Sequence, residues 1–438
     1  MKYFIITFGC QMNKSDSERI ASFLEKLNYK EASNEEEADL IVVNMCSVRQ
    51  SAVDRVYGLA RKFSKIKEKS PNFKSVLTGC YSKKDFKKFK KIFDFILPIK
   101  TLPKWEDFLK KESFYFEIDQ RDKNFNKKFN LFYLKEKPKY SKNFSVFVPI
   151  SSGCDNFCSF CIVPFVRGPL ICRDFFEILK EVKEAVKNGA KEIWLLGQNV
   201  NDYQFEGKDF AGLIEQINKI EGNFWIRFTS PHPKNFSQKL IETIAKCEKV
   251  TPYLNLPLQS GDDETLKRMR RGYTAAEYLD LVRRIRMAFK KYRKGLEREV
   301  AISTDIIVGF PGETKKQFEK TLKIFKKIKF DMAYIAKYSP RPHTLAEKME
   351  NNVEREEKEK RYKVLTEILR KIALERNKKF VGEEVEVLVE KEKDGFLFGK
   401  SRHYKTVKFE GKPQFVGKIL KVKIIEALPW GLKGCLTK

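Results

Sequence analysis

Three cysteines with C-x3-C-x2-C spacing are the residues of this sequence best suited to chemistry: Cys154, Cys158 and Cys161. Three thiolates can bind three irons of a [4Fe–4S] cluster and leave the fourth iron without a protein ligand. A structural zinc site uses four closed ligands, and an electron-transfer cluster uses four thiolates. The spacing therefore predicts a cluster with an open coordination position for a reactant. The alternative is a metal-free loop.

A second set of cysteines lies near the start of the chain, where Cys10, Cys46 and Cys80 each follow a short apolar run. Helix-like stretches separate these runs, and Asp16 is expected to cap the first helix. Strand–helix alternation predicts a parallel sheet, in which ligands bind at the carboxyl ends of the strands. We therefore expect the three thiols to meet in a second three-thiolate site. The competing interpretation is that they are buried structural cysteines.

Strand–helix alternation resumes between residues 145 and 339 and predicts a partial (β/α)6 barrel. The strand candidates are 145–150, 193–196, 225–228, 253–258, 301–308 and 332–337. Active sites of such barrels lie at the C-terminal ends of the strands. Polar or glycine-rich segments follow the predicted strands there, at 197–199, 230–232, 259–261 and 309–313.

The last 60 residues alternate with a period of two and contain several glycines, which predicts a small OB-like β-barrel. Small basic barrels of this kind bind RNA. The candidate RNA-binding residues are Lys400, Arg402, Lys405 and Lys408.

The fold class is therefore α/β and multidomain, with an N-terminal parallel α/β sheet domain, a central barrel and a C-terminal β-barrel. The predicted boundaries are 1–116, 117–143, 144–378 and 379–438. Residues 117–143 are rich in lysine and are interpreted as a low-order basic linker that could face RNA.

Charge is the second global feature. The 438 residues include 88 Lys and Arg against 59 Asp and Glu, a formal net charge of +29. Such a charge favours nucleic acid as a partner, although basic residues can also simply solvate a surface. Nine cysteines, an odd number, argue against a disulfide-stapled secreted protein. With no signal-peptide pattern and no apolar run long enough to span a membrane, we expect a cytoplasmic protein.

Together these motifs resemble the methylthiotransferases of the radical S-adenosylmethionine (SAM) superfamily over nearly the whole chain. The order would be a methylthiotransferase domain, a radical SAM core and a TRAM RNA-binding domain. Four segments resemble the tRNA enzymes that act on N6-isopentenyladenosine at position 37: residues 8–13, 44–49, 195–201 and 227–233. The alternative is the sister group that acts on threonylcarbamoyladenosine, which usually has Gly-Cys-Lys-Val-Asn where this chain has Gly-Cys-Gln-Met-Asn.

The resemblance implies two [4Fe–4S] clusters and two SAM molecules. The cluster on Cys154, Cys158 and Cys161 would cleave one SAM to a 5′-deoxyadenosyl radical. The auxiliary cluster on the other cysteine set would hold the sulfur, and the second SAM would supply the methyl group. The expected partners are a tRNA anticodon stem-loop and an electron donor such as flavodoxin or ferredoxin, and the enzyme is expected to be a monomer.

SAM is expected to bind at the mouth of the barrel, where glycines let the backbone approach the ligand. The expected contacts are Gly197, Gln198, Gln259, Ser260, Gly309, Gly312 and Glu313. Two positions depart from the family pattern: Cys172, interpreted as a spare thiol, replaces the usual serine, and His343 replaces the usual glycine. Two other classes stay open, an iron–sulfur electron carrier and an RNA-binding protein with vestigial clusters.

Overall fold

The computed structural model describes residues 1–117, 121–293 and 300–437. The start of the predicted linker at 118–120 and the last residue of the predicted C-terminal barrel lie outside the described residues. Within the described part of the chain, no helix has the length and apolarity required to cross a membrane.

The N-terminal domain is a six-stranded parallel sheet in the order β2-β1-β3-β4-β5-β6, with an apolar core on each face. The strands are β1 (Lys2–Thr7), β2 (Lys30–Glu31), β3 (Leu40–Cys46), β4 (Lys74–Cys80), β5 (Phe95–Ile96) and β6 (Phe114–Tyr115). The helices are α1 (Gln11–Lys26), α2 (Gln50–Lys69), α3 (Lys83–Phe89) and α4 (Trp105–Leu109). The predicted parallel α/β sheet is confirmed.

The first helix begins earlier than the sequence indicates. Cys10 is its N-cap, and the backbone N–H of Cys10 donates to Asn13 Oδ1 at 3.3 Å. Asp16 lies inside α1 and is fully buried. The prediction of Asp16 as an N-cap is therefore wrong, because this carboxylate serves an ion pair with a distant arginine instead.

The predicted low-order linker contains ordered structure. Helix α5 (Lys123–Phe129) and a 3-10 helix (Phe132–Lys135) lie within it. Four of their aromatic and leucine side chains are buried: Phe125, Phe129, Tyr133 and Leu134. The prediction of low order is wrong for this segment, because apolar residues interleaved with the lysines pack against the N-terminal domain.

The central domain contains all six predicted strands. They form two three-stranded parallel sheets, β13-β10-β7 and β14-β15-β16, joined by a bridge between Ile226 and Val250. The strands are β7 (Ser145–Pro149), β10 (Glu192–Leu196), β13 (Trp225–Phe228), β14 (Tyr253–Asn255), β15 (Ala301–Val308) and β16 (Met332–Lys337). The short strands are β8 (Ser151–Ser152), β9 (Ile171–Cys172), β11 (Gln204–Phe205) and β12 (Lys208–Asp209).

Helices cover the outside of these sheets and enclose the largest apolar core of the chain. They are α6 (Val163–Val166), α7 (Phe175–Lys187), α8 (Phe210–Asn218), α9 (Gln238–Lys246), α10 (Asp263–Arg268), α11 (Ala275–Tyr292), α12 (Lys315–Ile328) and α13 (Arg355–Lys378). The partial (β/α)6 barrel is confirmed.

The C-terminal domain is a closed barrel in the order β17-β18-β19-β21-β20. Its strands are β17 (Glu384–Lys393), β18 (Phe396–Ser401), β19 (Thr406–Glu410), β20 (Ile419–Leu428) and β21 (Gly431–Leu436). Alternate residues such as Val387 and Val389 point into the barrel core. The predicted small β-barrel is confirmed.

Candidate active site between the two cysteine sets

The N-terminal cysteines meet at one edge of the parallel sheet. Cys46 and Cys80 are the last residues of β3 and β4 and are paired directly across the two strands. Cys10 is the N-cap of α1, just after β1. The Cys80 thiol is buried, and burial raises its pKa to about 12, with the nearby Cys46 and Cys10 thiols adding to the rise. The topology thus brings together the three predicted auxiliary ligands.

Arg167 places a positive charge at this cysteine set. Its Nε donates to Cys80 Sγ at 2.8 Å, and its Nη2 donates to Asp16 Oδ2 at 2.7 Å. Asp16 also accepts a hydrogen bond from the Tyr133 hydroxyl at 3.2 Å. Both members of the ion pair are buried. Sequence reasoning missed Arg167, although its place six residues after Cys161 was a possible signal.

The central cysteines lie in the loop that follows β8. Gly153, just before them, has φ +85°, and a Cβ there would lie 1.9 Å from the Pro169 carbonyl oxygen, so only glycine fits. Arg271 Nη1 donates to Cys158 Sγ at 3.2 Å. Burial and the neighbouring Cys158 thiol raise the pKa of Cys161 to about 12. A buried guanidinium therefore accompanies each cysteine set.

The donor chemistry fits iron–sulfur clusters better than single metal ions. Within the described ranges, no three His, Cys, Asp or Glu side chains are grouped as ligands of one ion. In a [4Fe–4S] cluster each thiolate binds a different iron, so the sulfur atoms stand further apart than around a single ion. A cluster held by three thiolates would be anionic, and Arg167 and Arg271 would offset that charge through their hydrogen bonds to sulfur.

A cleft of about 800 Å³ lies between the two cysteine sets. One side is formed by residues 48–51, just after Cys46, and another by residues 160–162, which include Cys161. Strands β15 and β16 form a further part of the wall. Ile162 lines this cleft and also packs against Cys80 with Val166. Cys161 therefore lines this cavity, and the N-terminal cysteine set lies next to residues that line it.

The residues predicted to contact SAM fall into different environments. Gln259 lines the cleft and has φ +70°. Gln198 Oε1 accepts from the Gly153 N–H at 2.6 Å and so supports the cysteine loop. A Cβ at Gly197 would lie 2.6 Å from Ser151 Oγ. Ser260 is fully buried, and its hydroxyl lies 3.4 Å from that of Thr321.

The polar groups of the loop 309–313 have partners within the protein. The Gly309 N–H donates to Glu313 Oε2 at 2.7 Å, and the Gly312 N–H donates to Asn352 Oδ1 at 2.8 Å. Glu313 is buried and forms an ion pair with Arg361 of α13 at 2.9 Å. The loop thus uses these groups in contacts within the protein, including the segment that contains α13, and its contact with SAM stays a prediction.

Several buried polar atoms lie where the barrel strands end, and two of them belong to the predicted segments 197–199 and 230–232. Ser151 Oγ, Ser152 Oγ, Asn199 Oδ1 and His232 Nε2 have no hydrogen-bond partner among the described residues. Burial, with Arg271 and Lys234 nearby, lowers the pKa of His232 to about 3, so its imidazole is neutral near pH 7. A buried polar group without a hydrogen bond lowers the stability of the fold, so a cluster of such groups indicates where a polar ligand binds.

The candidate RNA-binding residues mostly face the central domain. Lys405 is buried and forms an ion pair with Asp331 at 2.9 Å. Lys400 Nζ donates to Thr406 Oγ1 at 2.7 Å, and Arg402 Nη2 donates to the Glu248 carbonyl at 2.5 Å. These three charges have partners within the protein, and their contact with RNA stays a prediction.

Lys408 differs from the other three, because its ammonium lies 3.7 Å from the centroid of the Phe396 ring within the barrel itself. Its contact with RNA stays a prediction. Cys172 lies in β9, and its Sγ accepts from the Gln204 N–H at 3.3 Å.

Three family models match the chain. The radical SAM superfamily matches residues 148–325, uncharacterized protein family UPF0004 matches residues 2–97, and the TRAM domain matches residues 378–437. These segments correspond to the central barrel, the N-terminal sheet domain and the C-terminal barrel.

Curated relatives match over the full length. A tRNA-2-methylthio-N(6)-dimethylallyladenosine synthase of Clostridium botulinum (strain Loch Maree / Type A3) is 39% identical over 99% of this chain and 96% of that relative. The protein of the same name from Clostridium novyi is 40% identical over 99% of this chain and 96% of that relative. The one from Pelotomaculum thermopropionicum is 38% identical over 100% of this chain and 98% of that relative. The chain belongs to this synthase family.

As a radical SAM protein, this member of the synthase family uses SAM and a [4Fe–4S] cluster. Solved structures support the fold alone. The radical SAM methyltransferase TsrM from Kitasatospora setae, with cobalamin and a [4Fe–4S] cluster bound, matches with a TM-score of 0.57 at 11% identity, over 91% of this chain and 80% of TsrM. The structure of TsrM with tryptophan and a SAM analogue bound gives a TM-score of 0.56 at 12% identity. It covers 79% of this chain and 74% of TsrM.

Proposed function

We propose that this protein is a tRNA methylthiotransferase that converts N6-isopentenyladenosine at position 37 to its 2-methylthio derivative. The observation that carries the proposal is the shared cleft, because Cys161 lines it directly and residues 48–51 line it just after Cys46. A reaction that removes a hydrogen from adenine carbon 2 and places sulfur there needs both centres within reach of one substrate. The names of the full-length relatives support the same reaction.

Each cysteine set would hold one [4Fe–4S] cluster. Cys154, Cys158 and Cys161 would bind the radical SAM cluster, and Cys10, Cys46 and Cys80 the auxiliary cluster. When bound, the clusters supply the electron that cleaves SAM and a site for the sulfur that is transferred. Arg167 and Arg271 hold a positive charge against the ligand sulfurs and stabilise the anionic state.

The SAM site would lie between the cysteine loop and the ends of β7, β10 and β13. Ser151, Ser152, Asn199 and His232 supply unpaired polar atoms there. Gln259, which lines the cleft, would contact SAM from that side. Gly197, Gln198 and Ser260 would support this site through packing, while Gly309, Gly312 and Glu313 hold α13 in place.

The substrate would be the anticodon stem-loop of tRNA, and the C-terminal barrel would bind its phosphates by charge. The protein would act in the cytoplasm as a monomer, with flavodoxin or ferredoxin as electron donor. The working domains would be residues 1–116, 144–378 and 379–438, with 117–143 connecting the first two.

Mass spectrometry of tRNA from a deletion strain tests the proposal. Loss of 2-methylthio-isopentenyladenosine, with N6-isopentenyladenosine accumulating in its place, is expected. Loss of a methylthiolated threonylcarbamoyladenosine instead would assign the protein to the sister group. Unchanged tRNA would refute the proposed function.

A further inference from the structure

Three aromatic rings form a cluster beside the two cysteine sets. Phe157 directly precedes Cys158, Phe165 lies in α6, and His343 lies in the segment after β16. The ring centroids of Phe157 and Phe165 are 6.4 Å apart, and those of Phe165 and His343 are 5.9 Å apart. The Arg121 guanidinium lies 5.0 Å from the centroid of the Phe165 ring. These four residues are called the aromatic platform below.

Two platform residues have backbone angles that bulky side chains rarely adopt. The angle φ is +45° at Phe157 and +68° at His343. Phe157 is 43% exposed and His343 is also exposed, so burial in a core does not offset this strain. Such outliers cluster at functional sites. Glycine would satisfy the turn at 343, and this chain places a ring there instead.

The segment that carries His343 is fixed at the cleft. The His343 N–H donates to Glu347 Oε2 at 2.9 Å, and Glu347 also pairs with Lys84 of the N-terminal domain at 3.1 Å. Arg341 Nη1 donates to Gln50 Oε1 at 3.1 Å, and both residues line the cleft. The platform is therefore held next to the cleft by both domains.

We propose that the aromatic platform binds an unstacked base of the tRNA loop next to the adenosine that enters the cleft. This inference rests on the proposed function. Aromatic rings bind bases by stacking, and a nearby arginine adds a cation–π contact. An adenosine can reach an active site only when it leaves the stack of its neighbours, which exposes their faces. The net charge of +29 and the Arg121 side chain favour RNA as the occupant.

Equilibrium binding of a fluorescent anticodon stem-loop containing N6-isopentenyladenosine tests this site. The full-length protein is reconstituted anaerobically, and Phe157→Leu should weaken binding by about tenfold, the loss of one base–aromatic stack. Phe176, which is 60% exposed on α7, provides the matched control, and Phe176→Leu should leave affinity unchanged. A stem-loop that lacks the base proposed to stack on the platform should bind the unaltered protein weakly. Phe157→Leu should not lower the affinity for this abasic stem-loop any further.

A second variant separates recognition from folding. His343→Gly relieves the left-handed strain, so the melting temperature should stay the same or rise, while stem-loop affinity should fall by about threefold or more. Unchanged affinity in both platform variants would overturn the inference, even if the unaltered protein methylthiolates the stem-loop. An unaltered protein with no methylthiolation activity would instead refute the proposed function.

Discussion

At the scale of single residues, the six cysteines determine how much iron the chain binds. Two cubes amount to about eight irons per chain after anaerobic reconstitution. Replacing Cys154, Cys158 and Cys161 with alanine should leave half of that iron and abolish SAM cleavage. The remaining iron would belong to the set at the end of the parallel sheet. Zinc in place of iron, or the loss of all iron, would contradict two independent clusters.

Arg167 supports a prediction about stability, because its buried partner Asp16 cannot reach water. Arg167→Met should destabilise the cluster-free protein by about 3–5 kcal/mol, the cost of a buried charge that loses its partner. Urea unfolding measures this. Adding Asp16→Asn should cost less than the sum of the single changes.

The matched surface change is Arg284→Met, whose partner Asp280 is exposed. It should cost less than about 1 kcal/mol. Equal effects of Arg167→Met and Arg284→Met would show that the buried pair has no special role.

At the scale of elements, the contact between the C-terminal barrel and β16 depends on a carboxylate. Burial alone would raise the pKa of Asp331, but Lys405 and Arg376 hold it below its ordinary value. The folded form therefore binds the proton less readily than the unfolded form. The stabilisation is present above the unfolded pKa, about 3.9, and is lost as the pH falls below it.

Hydrogen exchange across β19 should therefore be slow at pH 5–8 and should rise as the pH falls below about 4 relative to the intrinsic rate. Asp331→Asn should raise exchange already at pH 7, because it leaves Lys405 buried without its anion. Glu384→Gln, which breaks an exposed pair with Lys421, should have little effect. Equal exchange in both variants would contradict this docking contact.

Most strands of the fold can be predicted from the sequence. The six barrel strands, and the three N-terminal strands that lead to Cys10, Cys46 and Cys80, follow from short apolar runs. Helix α5 was not predicted, because its phenylalanines are scattered among lysines and only tertiary packing makes them core residues. The periodicity of apolar residues predicts which face of a single strand or helix is buried. It does not predict that Lys405 pairs with a residue of another domain.

At the scale of the whole molecule, the site joins residues that are far apart in sequence. Arg167 bonds to Cys80, and the cleft combines residues 48–51 with residues 160–162. Motifs identified the six cysteines, but the contact of Arg167 with Cys80 depends on how two domains pack. The contact of Arg271 with Cys158 depends on the fold of the central domain. The loop 309–313 was assigned to SAM from its glycines, whereas Arg361 and Asn352 occupy its polar groups.

The charge of the whole molecule leads to a prediction about RNA affinity. Lys408→Ala should weaken tRNA binding slightly and lower the slope of log affinity against log salt by about one, because one phosphate contact is lost. Lys405→Ala should loosen the docked barrel instead and leave that slope nearly unchanged. Binding measured at several salt concentrations tests this. If Lys405→Ala lowered the slope and Lys408→Ala did not, the RNA would bind on the side of the barrel that contains Lys405.

The central claim is that two clusters act on one adenosine in the shared cleft. The most direct measurement is mass spectrometry of tRNA incubated with the reconstituted protein, SAM and a reductant, using the unaltered chain and a Cys10→Ala/Cys46→Ala/Cys80→Ala variant. We expect 2-methylthio-isopentenyladenosine from the unaltered chain, and from the variant SAM cleavage without methylthiolated product. Product formed by the variant at the normal rate, or formed equally on tRNA with unmodified adenosine, would contradict the account.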